Sequence, residues 1–314
     1  MLGSNQKILF WGTPATAADC LKLLLKKNKN VIAVVTQPDK PVGRKHILTN
    51  PPVKVVAEEA GLPILQPETL KCPGIVEKIK NLQPEICVVV AYGKILPSEI
   101  LNIPENFINL HFSLLPEYRG AAPVQKVIID GKSETGVTVQ HVVKELDKGD
   151  IILQKKLGID TEDTTESLLE KAVEIGAPLL CKAIELITSG KAPRIPQNDD
   201  DATYALKITK EDGYIDWSRS AKDIHNQIRG CYPWPTSHTK LNGKLFKILK
   251  SKVSDNELLN LAPGAISATK KQLFVSTGEG VLEILEIQPP GKKRMTAQAF
   301  LAGHNLVGNQ FLTI

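Results

Sequence analysis

The sequence predicts an α/β protein with a Rossmann-like, doubly wound and mostly parallel sheet, followed by a small C-terminal β-barrel (OB-like) domain. In the first 188 residues, short apolar runs rich in β-branched residues alternate with segments of helical spacing. After residue 208 the pattern changes to short β-type segments separated by Gly, Pro and Asn. A length of 314 residues suggests two domains.

The first part of the chain alternates predicted strands and helices. Strands buried on both faces of a parallel sheet are almost wholly apolar, and this pattern predicts strands at 7–11, 31–36, 63–65, 85–90 and 107–111. Further strands are predicted at 135–143 and 150–157. Helical spacing predicts one helix that ends at Lys27 and three further helices at 53–60, 74–82 and 164–188. A long polar loop with a basic centre is expected at 37–52.

The division into domains follows from the change of pattern. We expect a catalytic domain at 1–188, a linker rich in Gly, Pro and Asp at 189–208, and a β-barrel domain at 209–314. In the barrel, one helix is predicted at 220–229. Strands are predicted at 245–249, 264–268, 272–276 and 281–288.

The net charge of +5 lies in the last third of the chain. Residues 1–208 hold 25 Lys and Arg and 25 Asp and Glu, whereas residues 209–314 hold 14 basic against 9 acidic residues. A basic appendage on a neutral domain suggests a polyanionic partner such as nucleic acid. A solvated surface is the alternative, and the charge alone favours it because the bias is modest.

Several classes of protein are excluded by composition. The longest clean apolar run, 86–91, is far too short to span a bilayer, and the N-terminus has no secretion signal. Five scattered cysteines without a Cys-x-x-Cys pair fit a reducing cytoplasm and no structural zinc. The histidines show no metal-binding spacing. The glycine series of dinucleotide sites, the P-loop and the hydrolase Gly-x-Ser-x-Gly elbow do not occur.

The strand at 107–111 carries two polar residues, Asn109 and His111, two positions apart. Alternate positions of a strand project to the same face, so the amide and the imidazole lie side by side where the strand ends. Ligands of open α/β sheets bind beyond the carboxyl ends of the strands. The alternative is a core pair satisfied by the backbone, and the pattern alone does not decide between them.

A second polar segment is Glu145-Leu146-Asp147-Lys148-Gly149-Asp150, in which Gly149 permits a tight turn that holds Asp147. A plain surface turn is the alternative, since Asp and Gly are common there. Together, Asn109, His111 and Asp147 suit the transfer of an acyl-type group to an amine. The amide and a protonated imidazole stabilise the developing oxyanion, and the carboxylate favours the charged imidazole and helps to remove a proton from the attacking nitrogen.

The motifs that carry this chemistry resemble those of the 10-formyltetrahydrofolate-dependent formyltransferases. They are Asn109-x-His111, Ser113-Leu114-Leu115-Pro116, Tyr118-Arg119-Gly120 and Asp147-x-Gly149-Asp150. Further segments resemble the branch of this family that acts on charged initiator tRNA. They are Phe10-Trp11-Gly12-Thr13-Pro14, the segment 36–44, Thr203-Tyr204-Ala205, Ile215-Asp216-Trp217 and Pro233-Trp234-Pro235.

This resemblance implies a one-carbon group transferase. It would pass the formyl group of 10-formyltetrahydrofolate to the α-amino group of methionyl-initiator tRNA, producing N-formylmethionyl-tRNA for translation initiation. With the composition, it leads us to expect a monomeric cytoplasmic enzyme that uses folate and tRNA, with no metal site and no membrane contact.

The resemblance also implies roles for particular residues. Asn109, His111 and Asp147 are implied to be catalytic, and the folate co-substrate to contact Ser113, Leu114, Leu115 and Pro116. Arg44 in the long loop matches the family's basic position at the tRNA acceptor end. The C-terminal barrel is expected to lie against tRNA, with Lys240, Lys244, Lys247 and Lys250 as candidate phosphate contacts.

Two other functions share part of this pattern. A sugar-nucleotide formyltransferase has the same catalytic set and two domains, but the basic loop and the basic last third favour the tRNA enzyme. A non-catalytic RNA- or nucleotide-binding protein on this fold is disfavoured by the intact Asn109, His111 and Asp147 set. One departure from the family is Phe112, where a small residue or proline is usual. Its bulk either narrows the folate site or packs beneath the loop.

Overall fold

A computed structural model describes residues 6–43, 46–255, 261–304, 306 and 310–313. Its contacts group the chain into two units. The first contains Met1–Pro123, Glu134–Gly158 and Leu169–Ala205, and the second contains Val124–Ser133, Ile159–Leu168 and Leu206–Ile314. This grouping by packing is discontinuous in sequence, because two short segments near the middle of the chain pack with the C-terminal third.

The strands within the described residues are β1 (Ile8–Gly12), β2 (Val31–Val35), β3 (Lys40–Val42), β4 (Ile47–Thr49), β5 (Ile64–Leu65), β6 (Ile86–Val90), β7 (Asn106–His111), β8 (Arg119–Gly120), β9 (Glu134–His141), β10 (Ile151–Gly158), β11 (Tyr204–Ala205), β12 (Ser237–Leu241), β13 (Lys244–Ser254), β14 (Ile266–Ala268), β15 (Leu273–Ser276), β16 (Val281–Gln288) and β17 (Met295–Thr296). The helices are α1 (Ala15–Lys26), α2 (Pro52–Glu59), α3 (Pro73–Leu82), α4 (Ser98–Leu101), α5 (Pro123–Ile129), α6 (Thr165–Thr188), α7 (Ala221–Gly230) and α8 (Ala297–Leu301). No helix in these ranges combines the length and the apolar character needed to cross a membrane.

The first unit is built on a seven-stranded sheet in the order β10-β9-β7-β6-β1-β2-β5. The five strands from β7 to β5 are parallel. At one edge, β9 pairs antiparallel with β7 on one side and with β10 on the other. The central strands are apolar because both faces of the sheet are covered, and every residue of β1 is buried. The predicted doubly wound, mostly parallel sheet is therefore confirmed.

The strand order reverses between β1 and β6, because the chain leaves β1 toward β2 on one side and later adds β6 on the other. Ligands of such sheets bind in the crevice at this reversal, beyond the carboxyl ends of the strands. The loops that follow β1, β2 and β6 meet there. The Thr13 hydroxyl and the Gln37 amide both donate to the carbonyl of Tyr92, at 3.0 and 2.9 Å.

The segment 37–52, expected to be a loop, contains the antiparallel hairpin β3–β4, so the loop prediction was wrong for these residues. Ile47 and Leu48 are 62% and 65% exposed. Because the hairpin buries few apolar side chains, its strands do not show the hydrophobic alternation by which strands are predicted. Its base is held by Asp39, which pairs with the Lys54 ammonium and accepts a hydrogen bond from the Gln66 amide, both at 2.7 Å.

The second unit contains a curled antiparallel sheet in the order β12-β13-β16-β15-β14, with β17 on β16 and α7 packed against β13. Near the end of the chain, Leu312 bridges to Lys240 in β12, and Gln310 bridges to Ala265 just before β14. These bridges join the two edges of the sheet. The predicted OB-like second domain is confirmed, although β12, β17 and α8 were not predicted.

The segment 189–208, predicted as a linker, includes a pairing that composition does not reveal. Strand β11 pairs in parallel with β8, and the Arg119 amide donates to the Thr203 carbonyl at 2.8 Å. Gly120 adopts a φ of 125°, and a Cβ there would lie 2.5 Å from the Ala205 carbonyl oxygen. The close approach of the two short strands therefore requires glycine at position 120.

Candidate active site

Strand β7 brings two polar side chains to the carboxyl end of the sheet. It lies between β6 and β9, and Asn109 is opposite Val89 on one side and Gln140 on the other. The Asn109 side chain is half-buried and makes no hydrogen bond with the part of the chain that the structure describes. Its amide is therefore available to a ligand, unlike that of a core asparagine satisfied by the backbone.

His111 ends the same strand and is 5% exposed. Its Nε2 lies 2.9 Å from the Tyr118 carbonyl oxygen. A carbonyl only accepts, so the chemistry of this contact assigns the proton to Nε2. The other ring nitrogen, Nδ1, lies 3.7 Å from Oδ2 of Asp147. Because Nε2 is committed to the backbone, Nδ1 is the ring nitrogen that faces the Asp147 carboxylate.

Asp147 reaches His111 from the turn between β9 and β10. Its carboxylate accepts two hydrogen bonds: the Gly120 amide donates to Oδ2 at 2.8 Å, and the Gln140 side-chain amide donates to Oδ1 at 3.0 Å. The side chain is 13% exposed and the backbone φ is 51°, in the left-handed region. A carboxylate that is mostly buried, accepts two hydrogen bonds and stands on a strained backbone is typical of a functional site. A plain surface turn would leave it exposed to solvent.

The separation of 3.7 Å between Nδ1 and Oδ2 is longer than a direct hydrogen bond. Catalytic contacts are often long in structures without substrate and shorten in the reacting complex. The imidazole and the carboxylate can therefore act on one group that enters between them. Asn109 lies on β7 with His111, so the site offers an amide donor, an imidazole and a carboxylate acceptor.

Gly149 keeps the Asp147 turn closed against β9. A Cβ at this position would lie 1.7 Å from the carbonyl oxygen of His141 and 2.7 Å from its carbonyl carbon. Backbone atoms cannot move aside as the end of a flexible side chain can, so only glycine fits. The adjacent backbone pairing, in which the His141 amide donates to the Asp150 carbonyl at 2.9 Å, depends on this approach.

We expect Gly149→Ala to lower the free energy of unfolding by about 3 kcal/mol, because the added methyl group forces the two backbone segments apart. The Asp147 carboxylate should move with the turn, so the activity predicted for this site should fall as well. Urea unfolding followed by circular dichroism measures the first effect. Gly158→Ala is the matched control, since a Cβ there meets nothing within 4 Å. Equal stability of the two variants would contradict the expectation.

The predicted folate loop, residues 113–116, is fixed by side chains of β9 and β10. The Thr138 hydroxyl donates to the Ser113 carbonyl at 2.7 Å and accepts from the Leu115 amide at 3.1 Å. The Gln154 amide donates to the Leu115 carbonyl at 2.7 Å. Within the loop, the Ser113 hydroxyl donates to the Glu117 carbonyl at 2.6 Å. The loop is thus preorganised beside His111.

The side chains of the loop differ in exposure. Leu115 is buried, whereas Leu114 and Pro116 are half-buried. Gly136 lies under Leu114, where a Cβ would be only 2.5 Å from Cδ2 of the leucine. Phe112, where the family usually has a small residue or proline, is buried.

One predicted site residue, Arg44, lies outside the described residues, so its placement is not described. The described part of the chain brings together no group of three side chains able to hold a metal ion. His141, next to Gln140 on β9, has a lowered pKa, chiefly because of burial and then because of the Arg194 charge, with Asp150 opposing.

Sequence reasoning missed two residues that hold the predicted catalytic pair, His111 and Asp147. Gln140 is bonded to the Asp147 carboxylate, and Tyr118 supplies the carbonyl that holds His111. Gln140 lies inside the predicted strand 135–143, and a polar residue in a strand rich in valine was the available signal. The role of Tyr118 involves only its backbone, so no side-chain pattern could have revealed it.

Residues 6–184 match the formyl transferase family, and residues 207–305 match the formyl transferase C-terminal domain. The chain belongs to the formyl transferase family, which confirms the resemblance predicted from its motifs. It is 47% identical to the methionyl-tRNA formyltransferase of Thermodesulfovibrio yellowstonii over 95% of this chain and 96% of that one. It is 46% identical to the methionyl-tRNA formyltransferase of a Sulfurihydrogenibium species, over 97% and 99%.

Solved structures of lower sequence identity share the fold. The sugar 3N-formyl transferase WlaRD, crystallised with dTDP and 5-N-formyl-tetrahydrofolate, is 22% identical with a TM-score of 0.68, over 93% of this chain and 100% of that one. The N-formyltransferase from Helicobacter canadensis, in complex with folinic acid and dTDP-3-aminofucose, is also 22% identical with a TM-score of 0.69, over 92% and 100%. At this identity the likeness establishes the fold alone.

Proposed function

We propose that this chain transfers the formyl group of 10-formyltetrahydrofolate to the α-amino group of methionyl-initiator tRNA, which yields N-formylmethionyl-tRNA for translation initiation. The observation that carries the proposal is the identity of 43–47% to methionyl-tRNA formyltransferases over 95% or more of the chain. Because this likeness covers both units, it includes the sheet that carries His111 and the basic C-terminal third.

The chemistry proposed for the site is direct attack of the amine on the formyl carbon. A new carbon–nitrogen bond forms, and the formyl oxygen becomes an oxyanion. The Asn109 amide and the protonated Nδ1 of His111 donate to this oxygen. The Asp147 carboxylate accepts the proton that the attacking nitrogen loses. The oxyanion then collapses and the carbon–N10 bond breaks. N10 takes the proton from Nδ1 of His111, the Asp147 carboxyl returns its proton to that nitrogen, and tetrahydrofolate leaves protonated on N10.

The charges on the second unit support a tRNA partner. Lys240 and Lys244 are exposed on β12 and β13, and no acidic residue lies opposite either of them in the strand pairing. Lys250 lies opposite Glu286 on β16, so its charge is offset locally. Of the four candidate lysines, Lys240 and Lys244 therefore fit phosphate contacts better than Lys250. Binding through such contacts weakens steeply as salt is raised.

Arg44→Ala tests the role proposed for the long loop. Loss of one phosphate contact should raise KM for methionyl-tRNA by about tenfold, because a charge-assisted hydrogen bond contributes about 1.5 kcal/mol. Affinity for the folate should stay unchanged. Steady-state kinetics with each substrate varied in turn measures both. Lys80→Ala, which removes an exposed cation of α3, is the control. An equal loss of affinity for both substrates would refute the assignment.

The acceptor is tested with labelled 10-formyltetrahydrofolate. Incubation with methionyl-initiator tRNA should give labelled formylmethionyl-tRNA. An amino-sugar nucleotide is the alternative acceptor, because the solved neighbours at TM-scores of 0.68 and 0.69 include a sugar formyltransferase. Label on the sugar nucleotide and none on the tRNA would overturn the proposed acceptor. Label on neither would favour a non-catalytic binding protein.

The proposed function also leads us to assign roles to the two domains, an oligomeric state and a location. We assign catalysis to residues 1–188 and tRNA binding to the barrel at 209–314, connected by 189–208, in a monomeric cytoplasmic enzyme. Light scattering on the purified chain should give a mass near the 34.3 kDa of one copy. A mass of twice this value would replace the monomer with a dimer.

A further inference from the structure

Gln197, in the segment that follows α6, makes five hydrogen bonds with its side-chain amide. Its Oε1 accepts from Nε and Nη2 of Arg119, at 3.1 and 2.8 Å. Its Nε2 donates to the carbonyl oxygens of Asp147 and Gly149, at 2.9 and 2.7 Å, and to Oε1 of Gln140 at 3.2 Å. The amide is thus bonded on one side to a buried arginine and on the other to the turn that carries Asp147.

The chemistry of its partners fixes how this amide is oriented. A guanidinium only donates and a backbone carbonyl only accepts, so Oε1 faces Arg119 and Nε2 faces the turn. Arg119 is 2% exposed and its Nη1 is held by Asp199 at 3.0 Å. Asp199 in turn pairs with Lys148, which lies inside the Asp147 turn. The donation from these two cations lowers the pKa of Asp199 below its ordinary value, with Lys148 the larger cause.

The amide reaches the Asp147 carboxylate by two routes. One runs through the backbone, because Gln197 holds the carbonyls of residues 147 and 149. The other runs through Gln140, whose Oε1 accepts from Gln197 and whose Nε2 donates to Oδ1 of Asp147. Both routes act on a residue whose backbone φ of 51° is sparsely populated and needs outside support.

The segment after α6 that contains Gln197 also holds the loop at Tyr118, whose carbonyl contacts His111. The Tyr118 amide donates to Oγ1 of Thr203, and the Arg119 amide donates to the Thr203 carbonyl, both at 2.8 Å. The Tyr118 carbonyl is the partner of His111. Residues 197–205 therefore contact both Tyr118, whose carbonyl holds the His111 imidazole, and the turn that carries the Asp147 carboxylate.

From this arrangement we propose that Gln197 is a positioning residue for formyl transfer, which holds the Asp147 turn at its working distance from His111, and that Arg119 fixes the orientation of the Gln197 amide. This inference rests on the proposed function, and it assigns a catalytic purpose to part of the connecting segment. A misplacement of about 1 Å in a catalytic group costs up to about 10²-fold in rate. Neither Gln197 nor Arg119 is assigned any contact with substrate.

The test compares Gln197→Met with Gln227→Met. Methionine fills a similar volume and removes all five hydrogen bonds of Gln197. Gln227 is the matched control, because its side-chain amide also donates to two backbone carbonyls. They are those of Asp212 and Tyr214 in the second unit, at 2.9 and 2.8 Å from its Nε2. We expect both variants to lose thermal stability. Only Gln197→Met should lose kcat, by 10–100-fold, with KM for both substrates within about twofold of the wild type.

A double-mutant cycle with Asp147→Asn separates positioning from general damage. If Gln197 acts through Asp147, its replacement should change the residual single-turnover rate of Asp147→Asn by less than about twofold. The same 10–100-fold loss in that background would overturn the proposal. So would wild-type kcat in Gln197→Met. If the methionine variant fails to fold, Gln197→Glu is used for the same cycle. It keeps an acceptor for Arg119 but cannot donate to the turn.

Failure of the proposed function gives a different result. In that case the wild type itself does not formylate methionyl-tRNA. If it formylates an amino-sugar nucleotide, the cycle is run with that acceptor, since Gln197 supports Asp147 whichever amine attacks. If the wild type transfers formyl to neither acceptor, both the function and the positioning role are wrong.

Discussion

Replacing His111 or Asp147 with alanine should reduce the turnover of formyl transfer by about 10²–10⁴-fold. The two groups lie 3.7 Å apart, with Nε2 of the imidazole bonded to the Tyr118 carbonyl and the carboxylate bonded to the Gly120 amide. Removing either side chain leaves the other without its partner at the reacting centre. Single-turnover rates with saturating 10-formyltetrahydrofolate measure the effect.

Binding of methionyl-tRNA should survive both changes, because neither side chain belongs to the basic surface of the second unit. A filter-binding assay should give Kd values within about threefold of the wild type, a difference of less than 0.7 kcal/mol. His304→Ala and Asp19→Ala are matched controls on exposed residues and should keep full turnover. Turnover close to that of the wild type in both His111→Ala and Asp147→Ala would contradict the mechanism.

The second large effect is expected for Asn109→Ala, which should lower kcat by about 10²–10³-fold. The Asn109 amide has no partner among the described residues, so the substrate oxygen would be its first strong acceptor. A donor that bonds mainly to the developing oxyanion changes kcat more than KM. Steady-state kinetics gives the two constants separately.

Asn109→Asp sharpens this test, because it replaces a donor with an acceptor of the same size. It should be slower than Asn109→Ala, since a carboxylate repels the oxyanion that forms beside it. Asn102→Ala, at the exposed C-cap of α4, is the control. A kcat of Asn109→Ala within threefold of the wild type would remove the residue from the catalytic set.

The fold was predictable where the hydrophobic pattern was strong. The strands β1, β2, β6 and β7 were predicted within one residue of their observed bounds, because parallel strands covered on both faces must be apolar. The hairpin β3–β4 was missed, since an exposed two-stranded hairpin buries too little to leave a pattern. Strand β11 was missed because two residues are too few to show any period.

The site was predictable only in part. Asn109 and His111 could be placed together because two-residue spacing on a strand fixes a shared face. The approach of Asp147 depends on the antiparallel return of β9 and β10 at the sheet edge, which no local pattern specifies. The role of Gln197 depends on a contact across the fold to the Asp147 turn. Such contacts follow from tertiary packing, so the sequence of the segment alone could not reveal them.

A structure of the chain with a stable carbon analogue of 10-formyltetrahydrofolate would test the proposed centre most directly. The formyl oxygen should lie within about 3.2 Å of Nδ2 of Asn109. The formyl carbon should face the gap between Nδ1 of His111 and Oδ2 of Asp147, with the folate against residues 113–116. An analogue whose formyl group binds more than about 6 Å from all three side chains, beyond the reach of any hydrogen bond, would contradict the assignment of this site.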